Sequence, residues 1–311
     1  MTARDVKIES KAALRASGWL AGPKLILVAI ALLGTFSACY LRRLALENSQ
    51  WLTVRYAASY LDLDSSQKET FQQQLLSFNA RVRTVHLEAV ISEIRKINEM
   101  GDTNSALSGG SDLDAIIDRL TLRFGLIATD GCSAFAPLVA TLSPEQIEHL
   151  RSKLREGNEK YDPQASGGIQ SLRKDRLNNV REMVERWLGD LTSGQLAALE
   201  GSVIGNDPEG RWERDYLAYR TETQVMFLKI MADARGRPEI FAGPCRAFSE
   251  NMQSFLSVTG RQTRDQMARR RRAMATTLIE AITPSQRARL KKETGQLIAD
   301  IEEWRKSTEN Q

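Results

Sequence analysis

The chain has 311 residues, 42% of them apolar, which is enough for a sizeable core but does not choose between one large domain and two modest ones. Its net charge of +4 is unevenly spread: residues 1–38 hold five bases and two acids, and from Cys39 onward 38 bases meet 37 acids. A basic balance held mostly in a leader is no signature of a nucleic-acid partner, and none is expected.

The first element is the leader. After Lys24 the run LILVAIALLGTFSAC, residues 25–39, carries no charge and ends in small residues, and several Lys and Arg precede it. That is the order of a secretory signal. The run is about 15 residues long, short of the roughly 20 that cross a bilayer comfortably. Phe36-Ser37-Ala38-Cys39 resembles the lipobox of bacterial lipoproteins. That resemblance implies lipidation of Cys39 and removal of residues 1–38, which leaves 39–311 as the envelope domain. Two acyl chains would anchor such a protein stably. The alternative is an uncleaved anchor over 25–41, stopped by Arg42 and Arg43. In both cases the bulk of the chain faces the periplasm. Tyr40 after the cysteine resembles lipoproteins sent to the outer membrane, whereas an uncleaved anchor would hold the protein in the inner membrane.

Beyond Cys39 no alternating strand pattern stands out, and an all-α fold of extended helical hairpins or a bundle is expected. Phe71, Leu75, Phe78, Val82, Val85, Leu87, Val90, Ile91, Ile94 and Ile97 lay one apolar stripe along a helix of about 35 residues that stops at Gly101. Loops are expected at 101–112, 161–168 and 204–210, where Gly, Ser, Asp and Pro cluster. Further helices are expected near 112–125, 144–159, 170–188, 192–203, 208–235, 244–257, 260–281 and 284–307.

One phrase recurs four times: Leu63-Asp64-Ser65-Ser66-Gln67, Leu142-Ser143-Pro144-Glu145-Gln146, Leu191-Thr192-Ser193-Gly194-Gln195 and Ile282-Thr283-Pro284-Ser285-Gln286. An apolar residue precedes Asp, Ser or Thr, and Gln follows three residues later. This is a capping box: the first side chain accepts from free N–H groups of the first turn while Gln reaches back to the cap. Pro144 and Pro284 fall at the first helical position, where a missing N–H costs nothing. Capping alone accounts for the phrase. The copies are 79, 49 and 91 residues apart, so they define no solenoid of fixed period.

The phrase is also similar to the L-T/S-x-x-Q motif of Spy/CpxP-type periplasmic chaperones, which implies a helical surface that holds protein clients. In layout the chain resembles a family of uncharacterised lipoproteins of Gram-negative bacteria, built on a domain of unknown function. The residues that carry this likeness are Arg43-Leu44, Asn48, Trp51-Leu52, Tyr60-Leu61-Asp62 and Leu63 through Gln67. The likeness implies fold and location and carries no activity.

Chemistry is sparse. His86 and His149 have no ligand partners at the spacing of a metal motif, and both read as members of solvated faces, so neither a metal nor another cofactor is expected. Cys132 follows Gly131 without an oriented base and reads as structural. With Cys39 consumed, Cys132 and Cys245 form an even pair that either bridges or stays as two buried thiols. No catalytic residue stands out, and the chain reads as a non-enzyme. Arg269, Arg270, Arg271 and Arg272 share one helix and point around it; they read either as a solvated face or as a contact for anionic lipid. Trp187, Trp212 and Trp304 are expected in the core. The expected function is a membrane-tethered scaffold for protein clients, with a membrane-surface assembly factor as the alternative.

Overall fold

The computed structural model describes residues 49–100, 109–205 and 210–306. The leader, Cys39 and the alternative anchor over 25–41 lie outside the described residues. Every regular element among the described residues is helical, and none of these helices is long and apolar enough to cross a membrane.

Helix α1, Ser49–Leu61, precedes the first motif. It had no counterpart in the sequence reading, because its apolar positions are interrupted by Ser, Thr and Arg. Helix α2, Ser65–Arg81, runs through a π-turn, Val82–His86, into α3, Leu87–Glu99. This is the expected long helix with one residue inserted. The Leu87 N–H bonds back to the Val82 carbonyl across five residues, which shifts the apolar stripe by one position. Phe71, Leu75 and Phe78 are buried before the turn, Val82 at its start, and Leu87, Val90 and Ile91 after it. Within the turn His86 takes the inward place at 6% exposure while Val85 faces out at 54%. Two expectations fail here together, Val85 as a stripe member and His86 on a solvated face.

Helix α4 spans Gly109–Ala134 and continues through Cys132 without a break. A short α5, Ala136–Thr141, follows with Pro137 in its first turn. Then come α6, Pro144–Glu159; α7, Ile169–Leu188; α8, Ser193–Ile204; and α9, Arg211–Asp233. Gly210 opens α9 in the left-handed region at φ 65°, and a Cβ there would lie 2.4 Å from Ile169. Only glycine fits. Helix α10, Pro238–Glu250, begins at Pro238 rather than near Pro244, which lies inside the helix on its exposed side, where water can take the carbonyl that Pro leaves without a donor. A 3₁₀ turn at Met252–Phe255 leads to α11, Val258–Glu280, and α12, Pro284–Lys306.

Consecutive pairs such as α1–α2, α7–α8 and α9–α10 do pack, but the most extensive contacts join distant segments: α4 with α10, α3 with α12, and α8 with α11. One apolar cluster draws on α1 to α6 and on α9, α10 and α11. A second gathers Val180, Val184, Leu188, Leu199, Val203, Met274, Leu278, Ile282 and Leu290 from α7, α8, α11 and α12. A third, of Leu87, Ile91, Leu297 and Ile301, binds α3 to α12 and so ties the end of the chain to the long helix. The disulfide Cys132–Cys245 joins α4 to α10 across 113 residues inside the first cluster.

Candidate functional site

All four motifs form capping boxes. Asp64, Ser143, Thr192 and Thr283 each accept from the backbone N–H of the glutamine three residues on. Each glutamine Oε1 accepts from the N–H of its cap in return. The structure adds a relation between copies that spacing along the chain does not contain. Gln67 and Gln146 exchange amide bonds, Nε2 of each donating to Oε1 of the other at 3.1 and 2.6 Å. Gln195 and Gln286 do the same, both at 2.8 Å.

The remaining Nε2 hydrogens complete the pattern. Gln67 donates to the Thr141 carbonyl and Gln146 to the Asp62 carbonyl; Gln195 donates to that of Ala281 and Gln286 to that of Asp190. Each acceptor is the residue just before the partner motif. The four copies thus form two local twofold clasps, one between the starts of α2 and α6 and one between the starts of α8 and α12. Oε1 faces only donors and Nε2 only acceptors, which fixes the amide orientation. Leu63, Leu142 and Ile282 are buried beside their caps. Each clasp joins two helix starts by a satisfied polar network, the kind of buried polar group that costs most when one partner is removed.

The π-turn positions a second polar group. His86 Nε2 lies 2.7 Å from Asp130 Oδ2, and Arg81 reaches the same carboxylate with Nε at 2.5 Å and Nη2 at 3.2 Å. Burial pushes the Asp130 carboxyl up, but the hydrogen bonds and charges of Arg81 and His86 outweigh it and hold it below the usual range. Asp130 sits two residues before Cys132, whose Sγ lies 3.7 Å from Ser249 Oγ. The trio braces the turn against α4. His149 meets the Ser59 carbonyl at 3.1 Å and links α6 to α1. Among the described residues no group of three potential ligands gathers around either histidine.

The arginine run does not form one cationic strip. Arg269 is exposed, Arg270 stacks over Trp212 at 4.4 Å, Arg271 is half-buried near Tyr216 and Tyr219, and Arg272 pairs with Asp118 of α4. Four successive side chains on a helix project about 100° apart, so each meets a different neighbour. Arg176 stacks on Trp212 as well, at 5.9 Å, and places Nη1 3.0 Å from Glu213 Oε1. Burial lowers the Arg176 guanidinium to about 10 against the pull of Glu213. Trp187 packs in the second and third clusters, and Trp304 lies under Arg83 at 5.0 Å.

One helix face stays apolar without cover from the rest of the described residues. On α4, Leu122 is 62% and Leu126 39% exposed. They stand one turn apart, with Gly125 between them, and nothing lies within 4 Å of a Cβ built at that glycine. A solvated helix face ordinarily carries polar side chains, and glycine inside a helix costs about 1 kcal/mol relative to alanine. The opposite side of α4 is spent on the core through Leu113, Ile116 and Ile127.

No curated protein and no solved structure matches the chain. A family match begins in α1 and ends at the Ser257 cap of α11, so it contains the first clasp, the disulfide and the π-turn, but only one side of the second clasp. Residues 59–257 match the Family of unknown function (DUF6279), and the chain belongs to that family.

Proposed function

We propose that this protein is a membrane-tethered scaffold of the bacterial envelope that holds a protein partner by apolar contact on the outward face of α4. The observation that carries the reading is the exposed Leu122–Gly125–Leu126 surface, which pairs two large apolar side chains with an open glycine where a partner's backbone or side chain can approach closely. The Cys132–Cys245 bridge supports export, because disulfides persist in oxidising compartments. The apolar leader ending in Cys39 supports the tether. The two clasps and the disulfide suit a rigid support, since a preorganised surface binds with less loss of conformational freedom.

The test is suppression of aggregation of a reduced, unfolding client by the full chain, compared with a Leu122→Ser/Leu126→Ser double variant. Wild-type protein is expected to keep the client in solution and the variant to lose that capacity with an unchanged melting curve. Equal activity of the two proteins, or none in wild type, sinks the reading.

A further inference from the structure

The outer side of α1 departs from what a helix side turned to water should carry. Val54, Ala57, Ala58 and Leu61 turn inward and pack on the first cluster. The outward positions are Trp51, Leu52, Arg55 and Ser59. Trp51 is 58% and Leu52 44% exposed, and both lie in the first turn. Arg55 lies one turn further on, its guanidinium carbon 5.2 Å from the Trp51 ring centre. Apolar surface is therefore concentrated at the end of α1 that leads back to the leader, while the far end of the same face is Ser59.

We infer that the first turn of α1 is a lipid contact, with Trp51 and Leu52 at the headgroup boundary of the membrane and Arg55 against lipid phosphate. The inference rests on the tether proposed above. Ser49 lies ten positions after Cys39, and an extended chain spans at most about 3.6 Å per residue, so the start of α1 stays within about 36 Å of the anchor point. Indole rings favour this boundary because one part is apolar and the N–H can stay hydrated. Arginine favours it because a planar guanidinium binds phosphate oxygens while its stem covers apolar surface. A tether alone leaves the body free to rotate. A second contact at α1 sets which face of the body meets the lipid, and α1 packs directly on α2 and α6, the two helices of the first clasp.

The test uses the full chain with Trp19→Phe, reconstituted in vesicles of phosphatidylethanolamine and phosphatidylglycerol, with and without brominated phosphatidylcholine. Bromine quenches only nearby indoles. The expected result is a loss of emission in brominated vesicles that largely disappears when Trp51→Phe is added, because Trp187, Trp212 and Trp304 are packed in the body. Phenylalanine keeps the side apolar, so folding and binding are retained while the fluorophore is removed. A vesicle-bound protein whose quenching is the same with and without Trp51 overturns the inference and leaves the tether standing. A chain that does not float with the vesicles overturns both.

Discussion

The two clasps use the same atoms in different surroundings. Gln195 and Gln286 are 2% and 4% exposed and lie wholly within the body. Gln67 is 8% exposed, and its partner Gln146 is only half-buried beside the outward-facing carbonyl of Asp62. Thr141 Oγ1 supplies an extra acceptor at 3.3 Å in the first clasp, but water can also reach it. The first clasp sits over a core crosslinked by the disulfide, whereas the second closes a part of the body where no disulfide is found among the described residues. A repeated motif therefore need not contribute equally. Where water can replace a lost partner the cost of breaking the network is small, and where it cannot the full desolvation penalty remains.

The most severe way to break this contrast is to remove the covalent tie from the first half. Cys132→Ser or Cys245→Ser should cost about 2–5 kcal/mol, read by urea denaturation. Adding reductant to wild-type protein should reproduce the loss, and an unchanged midpoint in both experiments would mean the bridge is not formed. Next in size, Gln195→Ala strips the Ala281 carbonyl, the Thr192 N–H and the Gln286 amide of partners in a dry site, and should cost about 2–4 kcal/mol. Gln67→Ala should cost about 1–2 kcal/mol, because hydration compensates part of the loss. Equal costs at the two positions would erase the comparison. A double-mutant cycle on Gln195 and Gln286 sharpens it, with an expected coupling of about 1–2 kcal/mol.

Acidification should act on the first half and its neighbour α3. Burial pushes up both Asp130 and Glu93, yet Arg81 and His86 hold the first below its ordinary range, and Lys96 and Arg119 hold the second below its own. A carboxyl depressed in the folded state contributes stability that is fully present above its unfolded value. That contribution is lost as pH falls through the lower folded value. The urea midpoint should therefore decrease as the pH is lowered beneath the ordinary carboxylate values of 3.8 and 4.5, with a shallower decrease in Asp130→Asn. The smallest effect is a gain. Gly125→Ala meets open space in a helix interior and should stabilise the protein by about 0.5–1 kcal/mol while weakening partner binding on α4. Stabilisation without any loss of binding would remove the reason offered for a glycine there.

The all-helical class, the long helix after Ser65 and the four helix starts were legible because they depend on periodicity and on capping chemistry within a few residues. The bounds of α6, Pro144–Glu159, agree with the expectation for the same reason: Ser143 caps and Pro144 occupies the first position. Helix α1 was not legible, since its inward face is made of small and mixed residues. Nor was the start of α10, because two prolines, Pro238 and Pro244, offered competing first positions. The π-turn left no local mark, and one inserted residue sufficed to exchange Val85 for His86 at the core. Trp212 shows the same limit, as its neighbours Arg176 and Arg270 come from other helices.

The sequence by itself determined where α2, α6, α8 and α12 begin, because a capping box is closed by side chains three residues apart. It also held the pair Cys132 and Cys245 and the apolar leader, since both are matters of composition and order. Only the tertiary structure decided that the glutamines interlock two by two, that the cysteines meet, and that the arginines of α11 turn to separate partners. Those relations join atoms tens of residues apart, and their distances depend on how whole helices pack rather than on any local preference.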